Sequence, residues 1–129
     1  MLNNFIVKQV KIPTSEKEYP NLYGWGGATE KSPAWKAKMD GMHFSQDDDF
    51  QIENFAYYQD VFDVQAESLD HVFHLTNMWN DPDAVAMIQT GHSTSVGDII
   101  VDKSNGDHYI VCDFGFKLLG ITGVLPNVA

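Results

Sequence analysis

Two apolar runs joined by a turn constrain this chain more than any other feature. Ile99-Ile100-Val101 and Tyr109-Ile110-Val111-Cys112 consist mainly of β-branched and aromatic residues, and Ser104-Asn105-Gly106-Asp107 lies between them. Asn-Gly readily takes the positive φ angles of a tight turn, so the pattern predicts a β-hairpin. Tyr109 to Cys112 is apolar on both parities. A strand of that kind needs cover on both faces, which places it at the centre of a sheet.

Two more strands are expected. Asn4 to Ile12 is β-rich and alternates at its end, Val10 and Ile12 against Gln9 and Lys11, and Pro13 closes it. Phe55 to Val64 is dense in aromatic and β-branched residues. There Tyr58, Asp60, Phe62 and Val64 share a parity, so Asp60 and Asp63 are expected on different faces. The main helix follows, capped by Ser68 and running to about Trp79. Steps of about 100° gather Leu69, Val72, Phe73, Leu75, Thr76 and Trp79 in one arc, with Asp70, His74 and Asn77 opposite.

A short helix is expected from Ser32, with Pro33 at its first position, to near Gly41. Residues 14–27 read as a long loop, because Tyr19-Pro20 and Gly24-Trp25-Gly26-Gly27 are turn-like, with Trp25 as the anchor. The glycine run lacks the preceding strand and the Lys-Ser/Thr of a phosphate-binding loop. Asn80 to Asp83 breaks the main helix, and Ala84 to Gln89 reads as one further turn or an extended linker.

Together these elements predict one domain over residues 1–129, of α+β class. Its antiparallel sheet has strands near 5–12, 56–64, 98–103 and 108–113. A central C-terminal hairpin packs against the one main amphipathic helix at 68–79. Residues 1–54 supply a strand and a loop-rich segment with a short helix, which covers an edge or face; residues 55–120 form the core.

Charge narrows the function classes. The net charge is −10, there is no Arg, and no Lys lies between Lys38 and Lys103, where most of the acids fall. Without a basic stripe, direct nucleic-acid binding is not expected. An acidic face fits a solvated surface, attraction to a basic protein partner, or mimicry of DNA. The single Cys112 sits in an apolar run as a reduced, buried thiol, which fits a cytoplasmic protein. No signal peptide or membrane-spanning run is recognised. Asp47-Asp48-Asp49 lacks the ligand spacing of a calcium loop. His71 and His74, three apart on the helix, are the only metal candidates and lack a third ligand, so no metal or cofactor is expected.

Gly91-His92-Ser93-Thr94-Ser95-Val96-Gly97-Asp98 invites a catalytic reading, because an imidazole adjoins a hydroxyl. Adjacent residues on an extended chain point apart, however, and catalysis needs a base aimed at the hydroxyl and an orienting third group. The fuller account is local shape. Ser93, Thr94 and Ser95 bond nearby backbone, Gly97 permits a bend, Asp98 accepts amide protons, and Gly115 kinks the chain after Asp113. His92, Ser93, Ser95, Gly97, Asp98, Asp113 and Gly115 are therefore candidates for a functional or shape-setting role, with no catalytic assignment. A small enzyme or ligand-binding domain would instead need His92, Ser93, Asp98 and Asp113, with or without His74, to converge in a pocket.

Residues 58–119 resemble the YodL-like domain of bacteria, phages and conjugative elements. The resemblance is carried by the acidic strand ending at Val64, Leu69-Asp70-His71-Val72-Phe73-His74-Leu75-Thr76-Asn77, Asp81-Pro82, Gly91 through Ile100, and Asp113-Phe114-Gly115-Phe116-Lys117. Thr94 and Gly97 stand where the family more often has Leu and Ser. The resemblance implies a phage or mobile-element background and an interaction module. With the acidic, Arg-free composition, it leads to the expectation of a non-enzymatic accessory or regulatory protein acting by protein–protein contact.

Overall fold

A computed structural model describes residues 2–78 and 81–119. The β-rich runs form one six-stranded antiparallel sheet: β1 Asn3–Val10, β2 Tyr58–Ala66, β3 Val85–Met87, β4 Ile99–Asp102, β5 Asp107–Val111 and β6 Phe116–Leu119, in the order β3-β2-β1-β4-β5-β6. Helices α1 Tyr19–Lys31, α2 Pro33–Met42 and α3 Leu69–Met78 complete an α+β fold, with 3-10 turns at Thr14–Glu16 and Ile52–Tyr57. The expected end of α3 at Trp79, the following Asn80 and residue 120 lie outside the described residues.

Both sheet faces are covered, each by a different part of the chain. Phe5, Val7, Phe62, Val64, Ile100 and Val111 pack with Val72 and Leu75 of α3. On the other face Ile99, Val101 and Ile110 pack with Phe44 and Tyr58, backed by Phe50 and Phe55 from the segment after α2. Burial at this level stabilises by about 1.5–3 kcal/mol per large apolar side chain. Among the described residues, no helix is long and apolar enough to cross a membrane.

Four features depart from the sequence reading. β5 is interior without being a middle strand, because Phe116–Leu119 pairs with it as β6; β1 and β4 take the two middle places. Ala84 to Gln89 contributes a short edge strand, β3, paired with Phe62 to Val64. Most of the supposed loop at 14–27 is helical, with Pro in the first turn of α1. Gly24 (φ 74°, ψ 170°) kinks it and so absorbs the glycine signal within one residue. Finally, Val7 pairs with Phe62 but Lys8 with Asp60, leaving Val61 as an extra, bulged residue. Cross-strand partners share a face, so Asp60 opposite Lys8 and Asp63 opposite Ile6 lie on the same face, contrary to the parity expectation. The same shift turns Tyr58 away from Phe62 and toward α2.

Ser32 ends α1 and begins α2. It is wholly buried, accepts the Trp35 amide proton at 3.1 Å and donates to the Glu16 carboxylate, while Trp35 Nε1 bonds the Glu16 carbonyl at 2.7 Å. Ser32→Ala removes this cap and is expected to cost about 1–2 kcal/mol, read as a lower urea midpoint at unchanged slope.

Candidate functional site

Gln9 is the polar member of the buried parity Phe5, Val7, Gln9 of β1, and is only 1% exposed. Its amide fixes the loop before β4: Nε2 donates to the His92 carbonyl (2.7 Å) and to Asp98 Oδ2 (3.0 Å), and Oε1 accepts from the His92 amide (3.1 Å). Asp98 Oδ2 also accepts from Ser95 N at 3.0 Å. Thr94, itself buried, meets Thr76 of α3 hydroxyl to hydroxyl at 2.6 Å. The loop is thus tied to β1 on one side and to α3 on the other.

Asp98 is 5% exposed. Burial pushes its carboxyl up to about 7, against the opposing pull of the Ser95 and Gln9 hydrogen bonds and of Lys38. The His92 ring is half exposed, with Nδ1 4.0 Å from Asp98 Oδ2 and 2.7 Å from the Ser93 carbonyl. A nook of about 30 Å³ opens here, lined by Lys38, Tyr58, His92, Ser95, Gly97 and Asp98 among others. It has room for a water molecule.

Gly97 is where the loop meets α2. It takes φ 93°, and a Cβ on it would sit 2.4 Å from the Gly41 carbonyl carbon. The Tyr58 hydroxyl donates to the Gly97 carbonyl at 2.6 Å. Burial first, then Asp98 and Asp40, push that phenol well above its usual range, so it stays a donor.

On the far side of Tyr58 lies a cavity of about 550 Å³, a volume in the range of ligand sites. Phe44, Phe50 and Tyr58 supply aromatic wall, and Asp40, Asp47, Asp48 and Asp49 supply charge. Lys36, the only basic residue of the lining among the described residues, bridges Asp40 at 2.7 Å. Asp40 also accepts from the buried Asn54 amide at 2.9 Å. Asp47 and Asp49 have no ion pair among the described residues, which leaves the cavity negative.

The sequence candidates therefore separate. His92, Ser95, Gly97 and Asp98 come together. Ser93 offers the His92 ring its carbonyl rather than its hydroxyl. Asp113 is exposed and accepts from the next amide, Phe114 N, at 2.9 Å. Gly115 takes φ 70° in the turn into β6. His74 lies on the exposed face of α3, and His71 Nδ1 accepts the Glu67 amide proton at 3.0 Å. No group of three or more His, Cys, Asp or Glu is arranged for a metal ion among the described residues. Cys112 is buried, which raises its thiol pKa.

Gln9, Gly41 and Tyr58 were not singled out from the sequence. A signal existed for Gln9, a polar residue on a buried parity. Gly41 and Tyr58 depend on the approach of α2 and on the bulge, which no local pattern encodes. In comparisons with protein-family models, curated proteins and solved structures, nothing matches the chain.

Proposed function

We propose that this chain is a small acidic accessory or regulatory protein of phage or mobile-element type, working in the cytoplasm by holding a basic segment of another protein in the cavity beside α2. The observation that carries the reading is the charge of that cavity: four Asp against one Lys, the Lys already paired. Electrostatic complementarity of this kind steers and selects a partner, and the aromatic wall accommodates aliphatic stems of Lys or Arg. The YodL-like blocks support the mobile-element setting. DNA mimicry is less well supported, because the acids stand on elements that cover opposite sheet faces, Asp70 on α3 and Asp47 to Asp49 after α2, rather than along one face.

An octalysine peptide is the probe for this reading. Asp47→Asn/Asp49→Asn is expected to weaken its binding at least about tenfold by calorimetry, and raised salt should weaken it further. The control is Asp81→Asn/Asp83→Asn, two exposed acids outside the cavity. Equal weakening by the control would reduce the binding to diffuse surface charge and end the proposal.

A further inference from the structure

Tyr58 and Gly41 line both the acidic cavity and the nook at Asp98. We propose that occupancy of the cavity by a basic segment is coupled to ionisation of Asp98 through Tyr58 and Gly97, each favouring the other. This rests on the reading of the cavity as the seat of such a segment.

The route consists of two contacts. The Tyr58 ring walls the cavity beside Phe50, at 6.1 Å between centroids, and its hydroxyl reaches across to the Gly97 carbonyl, one residue before Asp98. The Gly41 and Gly97 backbones meet closely: a methyl group on Gly97 would fall 2.4 Å from the Gly41 carbonyl carbon, and one on Gly41 would fall 3.2 Å from Gly97 Cα. A shift at the end of α2 is therefore passed to Gly97 rather than absorbed in a gap.

Electrostatics gives the direction. The phenol feels Asp98 from the nook and Asp40 from the cavity. Around Asp98 stand Lys38 on α2, the His92 ring at 4.0 Å, the neutral amide of Gln9 on β1, and Tyr58 on β2. Among the described residues no full cation is in hydrogen-bond contact with the carboxyl, so its charge is incompletely compensated there and sensitive to a cation added nearby. A basic occupant at Asp40, Asp47 and Asp49 favours the ionised carboxyl. By linkage, the ionised carboxyl tightens binding by the same factor.

The test uses the full chain and octalysine, with the Asp98 side-chain carboxyl followed by NMR across its titration. Saturating peptide is expected to lower its midpoint by about half a pH unit or more, and affinity is expected to rise about threefold between about pH 5.5 and pH 8. Asp98→Asn, outside the cavity, should retain binding at the lower pH and lose the threefold rise. Tyr58→Phe keeps the ring but removes the hydroxyl, and should shrink the midpoint shift. Binding with an unmoved Asp98 midpoint overturns the coupling and leaves the cavity reading standing. Absence of binding at either pH overturns both. A full shift in Tyr58→Phe, or an undiminished rise in Asp98→Asn, overturns the proposed route.

Discussion

Gly97→Ala is expected to lower stability by about 2–5 kcal/mol, the sum of a backbone cost and a steric one. The backbone sits at φ 93°, where a Cβ is disfavoured, and that methyl would fall 2.4 Å from the carbonyl carbon and 2.5 Å from the oxygen of Gly41. Both are main-chain atoms of α2, so relief requires the helix end to move. Such movement would strain the Tyr58 hydrogen bond to the same residue. For a domain of this size the result is a melting temperature lower by roughly 10 °C, measured by circular dichroism. Gly24→Ala provides the comparison. It has a similar positive φ of 74° but, among the described residues, nothing within 4 Å of the added carbon, so it should show only the backbone cost of about 1–3 kcal/mol. Equal losses in the two variants would mean that the Gly41 contact yields freely, and the close approach would then have no energetic role.

The contrast between these glycines also shows what the sequence could reveal. Both stand in turn-like stretches, and from sequence both read as points of backbone freedom. That Gly97 faces another backbone depends on residue 41, more than fifty positions away. The hairpin was legible because its signals are local: two β-rich runs around Asn105-Gly106, with Gly106 at φ 78° and the Asn105 side chain accepting the Asp107 amide proton at 2.9 Å. Helix α3 was legible for the same reason, its Ser68 cap accepting from His71 N at 3.1 Å. β3 and β6 were not, because these two short strands lie at the sheet edges and owe their form to the one neighbour each pairs with rather than to their own propensity. The bulge at Val61 was hidden in a run whose alternation looked regular, yet it decides that Tyr58 faces α2. The site was half legible: the loop from His92 to Asp98 stood out, while the groups that give it chemistry come from β1, β2 and α2.

Asp98→Asn is expected to stabilise the protein above neutral pH and to remove a fall in stability between about pH 4 and pH 7. The sign follows from the two states. Unfolded, the carboxyl titrates near its ordinary 3.8; folded, it titrates at about 7 because it is buried. Between these values the folded state holds the extra proton, so raising the pH costs stability, which is fully present below 3.8 and lost above 7. A separation of about three pH units corresponds to an upper bound of about 4 kcal/mol. Asparagine is nearly isosteric, and its carbonyl oxygen can accept from Gln9 and Ser95 as Asp98 Oδ2 does. His108 acts in the opposite sense. It is buried against Phe55, its Nδ1 pairs with the Gly106 carbonyl, and its Nε2 has no partner among the described residues. Burial lowers its pKa below 6.5, so the unfolded chain binds the extra proton and stability falls as pH drops through that range. Urea midpoints measured from about pH 4 to pH 8 should therefore decline with pH in the parent at Asp98's expense, and should rise with pH in Asp98→Asn, where the His108 contribution remains. An unchanged profile in the variant would show that the fold leaves the Asp98 carboxyl near its ordinary value. If the stabilised variant also loses the pH dependence of octalysine binding, the buried carboxyl is a group whose cost to the fold is retained for a functional reason.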